Sequence, residues 1–426
     1  MTPGENSVRV WLQTTGAIVG ILLLVQFVTG TLMAFYYVPS VDHAHTTVSY
    51  IEKVVSSGSW LRSLHHYGSQ WLSIFIFIHV IRLFLDRAYT SNRTQWIVAI
   101  LLLGLVMAAG GTGYSLPWDA RAFFSTRIAE GLMSGLPFVG RMARLWLLGG
   151  SDISTLTLSR FFALHVLVIP GLIVAVIIWR VFGLSLASVI GSRHAIAGAV
   201  VFLALALWCI KHPAPLGPSV TEATAEYLPR PGSQFLWLYQ SLKYIPGGLG
   251  SITSVVLPGI VLTVLILLPW LKRARLIGAS ILGAGIVVVL LMTTAAYLSD
   301  RGNQHTREQL SKQVAEEEAW RHKPFEPARL TLAATPASVS GGPPATYIEF
   351  CANCHGKNGE GARQGRLNFP SLLDVPTKPR RTVDDIVVLL KDPTAYGLQP
   401  PMKSFSNKLT EQQMREIAEW IVKLKR

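Results

Sequence analysis

Cysteine is nearly missing from this chain, with three residues in 426. That is too few for a disulfide scaffold, and Cys351 and Cys354 share one short motif. Cys209, inside an apolar stretch, reads as a small buried hydrophobe. Charge is also sparse. Asp, Glu, Lys and Arg make up 15% of the residues, and long stretches carry almost none, which excludes an ordinary soluble globular protein. Basic residues outnumber acidic ones by 38 to 24. They are scattered, however, without the aromatic-basic stripe of a nucleic-acid binder, and read as Lys and Arg flanking a membrane. No repeat of solenoid length is present. The opening segment, MTPGENSVRVWLQ, runs into its apolar stretch with no small-residue cleavage site, so an uncleaved first span is expected.

What the chain has is oil. Hydrophobic residues are 50% of the total, and the mean hydropathy is +0.40. They gather in blocks at 8–38, 67–85, 95–116, 161–183, 195–211, 252–271 and 275–297. Each block is close to the ~20 residues a helix needs to cross a bilayer. The expected fold is therefore all-α: a seven-helix transmembrane bundle, then a small soluble α-helical domain. Composition changes at Asp300, where a polar stretch including QLSKQVAEEEAWRHK reads as a solvated helix or tether. TLAATPASVSGGPPA follows as a flexible linker. ATYIEFCANCH, TVDDIVVLLKD and LTEQQMREIAEWIVKLK then show helical spacing.

The tail carries the sharpest motif. Cys351-Ala352-Asn353-Cys354-His355 is C-x-x-C-H, the spacing at which two thiols bond haem covalently and the adjacent histidine ligates iron. A zinc half-site or a thioredoxin-like pair would call for a second Cys pair or a βαβ pattern, and the sequence has neither. Met402, in the rigid turn Gln399-Pro400-Pro401-Met402, is the candidate second iron ligand, with a gap-filling core methionine as the bland alternative. The tail resembles a class I cytochrome c. That resemblance implies that the Pro370 carbonyl accepts the ring proton of the ligand histidine.

His65 and His79 stand fourteen residues apart across the second span. Nearly four helical turns put both rings on one side, about 21 Å apart along the axis. Ionisable groups inside membranes default to function. His165, at the start of the fourth span, can face His65 across a haem.

The region 8–298 resembles cytochrome b of the quinol-oxidising Rieske/cytochrome b complexes, in the form otherwise split into a four-helix cytochrome and a three-helix subunit IV. The resemblance rests on Gly16 and Gly30 in the first span and on Gly113 in the third, with Ala99 fourteen residues earlier. It rests also on Gly113-Tyr114-Ser115-Leu116-Pro117-Trp118-Asp119, Lys211-His212-Pro213-Ala214 and Phe235-Leu236-Trp237-Leu238-Tyr239-Gln240. It implies domains at 1–190, 191–298, 299–343 and 344–426: cytochrome b-like, subunit IV-like, linker and cytochrome c. It implies b haem ligated by His65 and His165, with His79 for a second haem. It implies glycines that make room for haem planes, Arg62 and Arg82 at haem propionates, and a quinol pocket drawing on Tyr114, Pro117, Trp118, Pro231 and Phe235. Implied partners are quinol, a Rieske-type iron–sulfur protein or other redox subunits, an acceptor for electrons from the c haem, and a second subunit in a homo- or heterodimer. The implied location is the bacterial inner membrane, with the N-terminus cytoplasmic and the cytochrome c domain outside. The short basic loops Asp86–Arg93 and Lys272–Arg275 agree with that orientation.

Two departures bear on function. Trp179 and Arg180 occupy the places where the family's fourth haem ligand lies, leaving His79 without its partner, and the nearest downstream histidine, His194, falls in the following loop. The family's Pro-Glu-Trp-Tyr reads Pro231-Gly232-Ser233-Gln234, so the carboxylate that would take a proton from quinol is replaced by glycine, with Glu222, Glu226 or Tyr227 as upstream substitutes. Two readings stand. One is an electron-transfer subunit that passes electrons from quinol through b haem to its own c haem. The other is a divergent, non-bifurcating relative that relays electrons inside a larger complex without quinol chemistry of its own. A weaker third reading, a haem-based sensor, lacks an output domain.

Overall fold

The computed structural model describes residues 14–150, 152–181, 192–220, 227–228, 230–245, 249–325, 342–364, 367–369, 371–373, 382–393 and 404–424. Two compact units emerge, 1–328 and 329–426. Met402, Pro370, Glu222 and Glu226 lie outside the described residues.

In the first unit, α1 (Thr15–Ala34) and the short α2 (Ala44–Lys53) precede α3 (Gly58–Leu85) and α4 (Arg93–Tyr114). A surface pair, α5 (Ala120–Ser134) and α6 (Gly140–Leu148), leads to α7 (Thr155–Arg180) and α8 (Ser192–Lys211). The one-turn-plus α9 (Leu236–Leu242) precedes α10 (Leu249–Trp270), α11 (Ala274–Gly302) and α12 (Gln304–His322). Among the described residues seven helices, α1, α3, α4, α7, α8, α10 and α11, are long and apolar enough to span a membrane. Their most apolar windows are only 11–39% buried. Exposed Leu24, Ile74, Leu172, Val200, Leu207 and Leu290 are then what a helix offers to hydrocarbon rather than to a protein core.

Helix α1 packs on α3, α3 on α4, and α4 on α7, with α8 against both α1 and α3. The shared core includes Leu22, Ile76, Val98 and Leu205. A second cluster around Trp96, Ile100, Leu265 and Leu268 joins α4 to α10, and there the Trp96 indole N–H donates to the Leu265 carbonyl at 2.7 Å. Cys209 is buried and free, as a small core hydrophobe should be. Helices α7 and α10 each widen into one π turn, Leu164–Val168 and Ile252–Val256. Both π turns end two residues before a proline, Pro170 and Pro258. Proline lacks the N–H an α turn needs and its ring crowds the preceding carbonyl, so the helix locally widens.

The polar helix α12 departs from its sequence reading as a solvated tether. Gln309, Gln313, Glu317 and Trp320 share one face by their spacing, and that face docks on the membrane unit. Trp320 is 9% exposed, packs on Val48 and Leu216, and meets the His45 ring edge-on at 5.0 Å. The Lys53 ammonium lies 3.8 Å over its ring and donates to the Trp320 and Lys323 carbonyls at 3.0 and 2.8 Å. A cation thereby meets the negative end of the helix. Trp320→Ala should lower the stability of α12's attachment by about 3 kcal/mol, in the range of buried Trp truncations. Faster proteolytic clipping within 304–322, with the b haem spectrum unchanged, is the expected readout.

The second unit is small and mostly helical: α13 (Ala345–Phe350), α14 (Ala352–His355), α15 (Val383–Lys391) and α16 (Glu411–Val422). A two-stranded hairpin, β1 (Ala362–Gln364) with β2 (Leu367–Phe369), adds to the all-α expectation. Thr382 and Thr410 open α15 and α16 with capping boxes, each satisfying two otherwise orphaned N–H groups. Its core gathers Tyr347, Cys351, Ile386, Leu390, Met414 and Ile417.

Candidate functional site: paired histidines over a cavity

Helix α3 carries His65 inside its span, two turns in from Gly58, rather than at its edge. Helix α7 brings His165 to meet it within the π turn. The two ring centres are 5.9 Å apart and the planes are crossed at 75°. Two imidazoles sharing one iron through metal–nitrogen bonds of ~2 Å place their ring centres about 6 Å apart, so the pair fits one metal atom between them.

Hydrogen bonding fixes which nitrogens face each other. The Thr29 hydroxyl donates to the Val25 carbonyl at 2.6 Å, which leaves its lone pair to accept from His65 Nδ1–H at 2.9 Å. His165 Nδ1 lies 3.0 Å from the Ala109 carbonyl, an acceptor only, so Nδ1 must carry the proton. Both Nε2 atoms are then bare and available as ligands. Thr29→Val keeps the shape and removes the acceptor, leaving Nδ1–H without a partner. Retention of b haem through detergent washing, scored against c haem, should fall in line with the ~10–100-fold affinity losses of such outer-shell changes.

The glycines fit the same occupant. A Cβ on Gly30 would sit 3.0 Å from His65 Cε1, and one on Gly113 would sit 2.4 Å from His165 Cε1. Gly16 stands in the same relation to His79, at 3.2 Å. Thr15 contacts His79 Nδ1 at 2.9 Å, repeating the Thr–His pattern one haem spacing away. Opposite His79 the pattern stops. Trp179 is 49% exposed, and Arg180 and Arg82 are the charges that act on His79. His194 lies in the first turn of α8 rather than in a loop, and its Nδ1 is buried with no partner.

The arginines expected at haem propionates have protein partners. Arg62 is 6% exposed, pairs with Glu52 at 2.5 Å, and donates to the Ala214 carbonyl at 2.5 Å and the Pro215 carbonyl at 3.3 Å. Arg82 pairs with Asp86 at 2.9 Å.

A cavity of about 260 Å³ opens from the His65–His165 pair. Gly30, Gly113, Tyr114, Pro117, Asp119, Arg121, Gly232 and Gln234 are among the residues that line it. Of the five expected pocket residues, Tyr114 and Pro117 line it. Trp118, at φ +53°, instead turns into a core with Ala44 and Leu158, because Asp119 caps α5 by accepting from Ala122 N at 2.8 Å. Phe235 lies behind the wall against Gly110, and Pro231 is a half-buried neighbour of the lining residue Gly232.

Three residues that the sequence reading passed over belong here, His66, Gln70 and Arg121, together with Gln234 of the altered Pro231–Gln234 motif. Ser233 donates to Gln70 at 3.2 Å, while Gln234 Oε1 is buried without a partner. Arg121 forms an ion pair with Glu317 of α12. Despite its burial, Arg121 is held above its ordinary pKa by the surrounding Tyr114, Glu317, Asp119 and Tyr227. Burial raises the Glu317 carboxyl, with Arg121 opposing. It also pushes the Tyr227 hydroxyl up to about 12.

In the second unit, Cys351 is buried at the C-terminus of α13 and Cys354 is half-buried in α14, and neither is in a disulfide. The Tyr347 hydroxyl donates to the Gly356 carbonyl at 2.8 Å, closing the turn after His355. Gly356 itself has φ +80°, a conformation that favours glycine. Two free thiols and the following histidine on one tight turn suit covalent haem.

Antiparallel membrane helices with crossed, singly protonated histidines over glycine cradles define a haem-binding membrane bundle. Residues 3–187 match the family model described as Cytochrome b/b6/petB, and 344–425 match that of Cytochrome c. Cytochrome b6 of Prochlorococcus marinus (strain NATL1A) is 35% identical over 159 residues, 37% of this chain and 73% of that protein. The menaquinol:cytochrome c reductase cytochrome b subunit of Bacillus subtilis (strain 168) is 34% identical over 158 residues, 37% of this chain and 70% of that protein. A solved structure titled "Hyperthermophilic respiratory Complex III" shares the fold, with TM-score 0.53 at 18% identity, over 73% of this chain and 89% of that one. The chain belongs to the cytochrome b/b6 family and carries a cytochrome c domain at its C-terminal end.

Proposed function

We propose that this chain is the quinol-binding, electron-transferring subunit of a quinol:cytochrome c reductase-like complex. The carrying observation is a single cavity that joins the His65–His165 pair to a polar head-group wall. A haem iron between those histidines supplies one-electron chemistry, as does the haem covalently held at Cys351, Cys354 and His355. Thr29 and Ala109 keep the ligand nitrogens aimed and unprotonated. Tyr114, Pro117 and Gln234 shape a slot for a flat ring beside them. Attaching the c domain to the same chain raises the acceptor's effective concentration. Met402 would complete the iron's ligation in the tail, with Pro370 bonding the other ligand's ring. An iron–sulfur or other redox subunit and a second copy of the complex would be the partners, and the c domain would lie on the outer face of a bacterial inner membrane.

The sequence has Arg180, not a second histidine, where a partner for His79 is expected, and this favours a shortened, non-bifurcating form of this function. Bifurcation needs two b haems in series, and the ligands for one are complete. The test is the b-to-c haem ratio of the purified chain by alkaline pyridine spectra, together with quinol-dependent reduction of the c haem. One b per c with inhibitor-sensitive reduction is expected. Two b per c would sink the shortened form, and reduction that ignores pocket inhibitors would sink quinol binding here.

A further inference from the structure

The wall facing the paired histidines lacks the carboxylate of the family motif, with Gly232 in its place and the Tyr114 ring 3.3 Å from where a Cβ would be. Something else must meet a quinol's oxygens, since a buried hydroxyl without a partner costs several kcal/mol. Two lining residues answer that need. Gln234 presents Oε1, a buried acceptor that nothing in the protein satisfies. Native proteins leave few such atoms, and an unpaired acceptor on a residue that lines a cavity calls for a donor.

Arg121 lines the same cavity and is held there by a residue from far along the chain. Glu317 on α12 forms its ion pair, 196 residues away in sequence. Asp119 lies nearby, its carboxylate accepting from Ala122 N and from Gly217 N at 3.1 Å. The guanidinium's fork of donors leaves N–H groups for a further oxygen once one edge is paired. Its charge is balanced, so it binds as a donor without leaving a lone buried cation.

We propose that Arg121, positioned by Glu317 of α12, and Gln234 together form the head-group site of the quinol: Arg121 donates to one ring oxygen, and Gln234 Oε1 accepts from a hydroxyl. The proposal rests on the quinol-binding reading above and names the groups that carry it. It also makes α12 part of the substrate site.

The test uses the full complex and a short-tailed naphthoquinol, with b haem reduction followed at varied quinol. Arg121→Gln and Gln234→Leu should each raise KM about tenfold or more, with kcat changed less than about threefold. That is the size of effect expected when one hydrogen bond to a charged or buried partner is lost. Glu317→Gln should raise KM, and Glu317→Asp should recover most of it, a rescue that a merely structural helix contact would not show. Should Glu317→Gln lose haem, the pair Arg121→Leu with Glu317→Leu removes both charges at once and should show the same raised KM with wild-type haem content. Wild-type KM in that pair, or in Gln234→Leu, overturns the head-group site while quinol oxidation by the wild type stands. A wild-type complex that shows no saturable quinol-dependent reduction overturns the quinol-binding reading, and this site with it.

Discussion

His165→Leu should remove one b haem per chain and leave the covalent haem untouched. His65 alone would offer iron one axial nitrogen, and leucine would present apolar bulk where Gly113 leaves no room for a further atom near the His165 ring. The ring now accounts for the 5.9 Å crossed pair, and its Nδ1–H bond to Ala109 is what bares Nε2 for ligation. Low-spin b haem with two nitrogen ligands should disappear from the reduced-minus-oxidised spectrum at this site. The pyridine count should fall by one b per c. An unchanged count would mean that His165 is a structural hydrogen-bonder to Ala109 and that iron finds its second ligand elsewhere. His79→Leu is the matched comparison. With Arg180 and a half-exposed Trp179 at the sequence positions where its partner would be expected, its loss should change the count by less than one.

The seven spans are plain in the sequence because an uninterrupted apolar run of bilayer length is stable in few settings besides a bilayer. Their ends moved by several residues. The second apolar block begins at 67, whereas α3 begins at Gly58, because Arg62 and His65 interrupt the oily run while sitting inside the helix. The spacing showed His65 and His79 in phase on one helix, fourteen residues apart, whereas the small residues at 16, 30 and 113 took their meaning from the family resemblance. The head-group wall was not legible in the sequence. Its residues come from α3, α5, the segment before α9, and α12, and no local pattern links Gln70, Arg121, Gln234 and Glu317.

Helix α12 shows the physical reason most clearly. Its docking face is Gln309, Gln313, Glu317 and Trp320, with the glutamines 8% and 9% exposed. A search for hydrophobic periodicity is blind to a polar stripe that is buried because its partners are polar. Here the partners are Arg121 and the Leu228 carbonyl, the latter accepting from Gln313 Nε2 at 3.4 Å. Trp118 misled in the opposite direction. Its neighbours Pro117 and Asp119 line the cavity, but a positive φ at 118 turns the indole away, and backbone reversals of that kind leave no mark in composition.

Cys351→Ala together with Cys354→Ala should abolish covalent haem and, with it, most of the order of the C-terminal unit. A domain of this size buries too little apolar surface to hold its shape comfortably without a staple. Its core is thin: Tyr347 meets Trp420 in a tilted ring pair at 4.3 Å, and Cys351 itself is a core member beside Leu390 and Ile417. A large apolar ring bonded at both cysteines would supply the missing contact area, and at ~25 cal/mol per Å² even 200 Å² of added burial is worth roughly 5 kcal/mol. Acid-acetone extraction should leave the wild-type haem on the polypeptide and strip the double variant completely. Protease should then clip the variant within 344–424 far faster than the wild type, while the membrane unit keeps its b haem spectrum. A single Cys354→Ala, which leaves one thioether at the buried Cys351, should retain haem with an altered pyridine spectrum. Should the double variant instead keep its protease resistance, the fold of this unit would not depend on its haem.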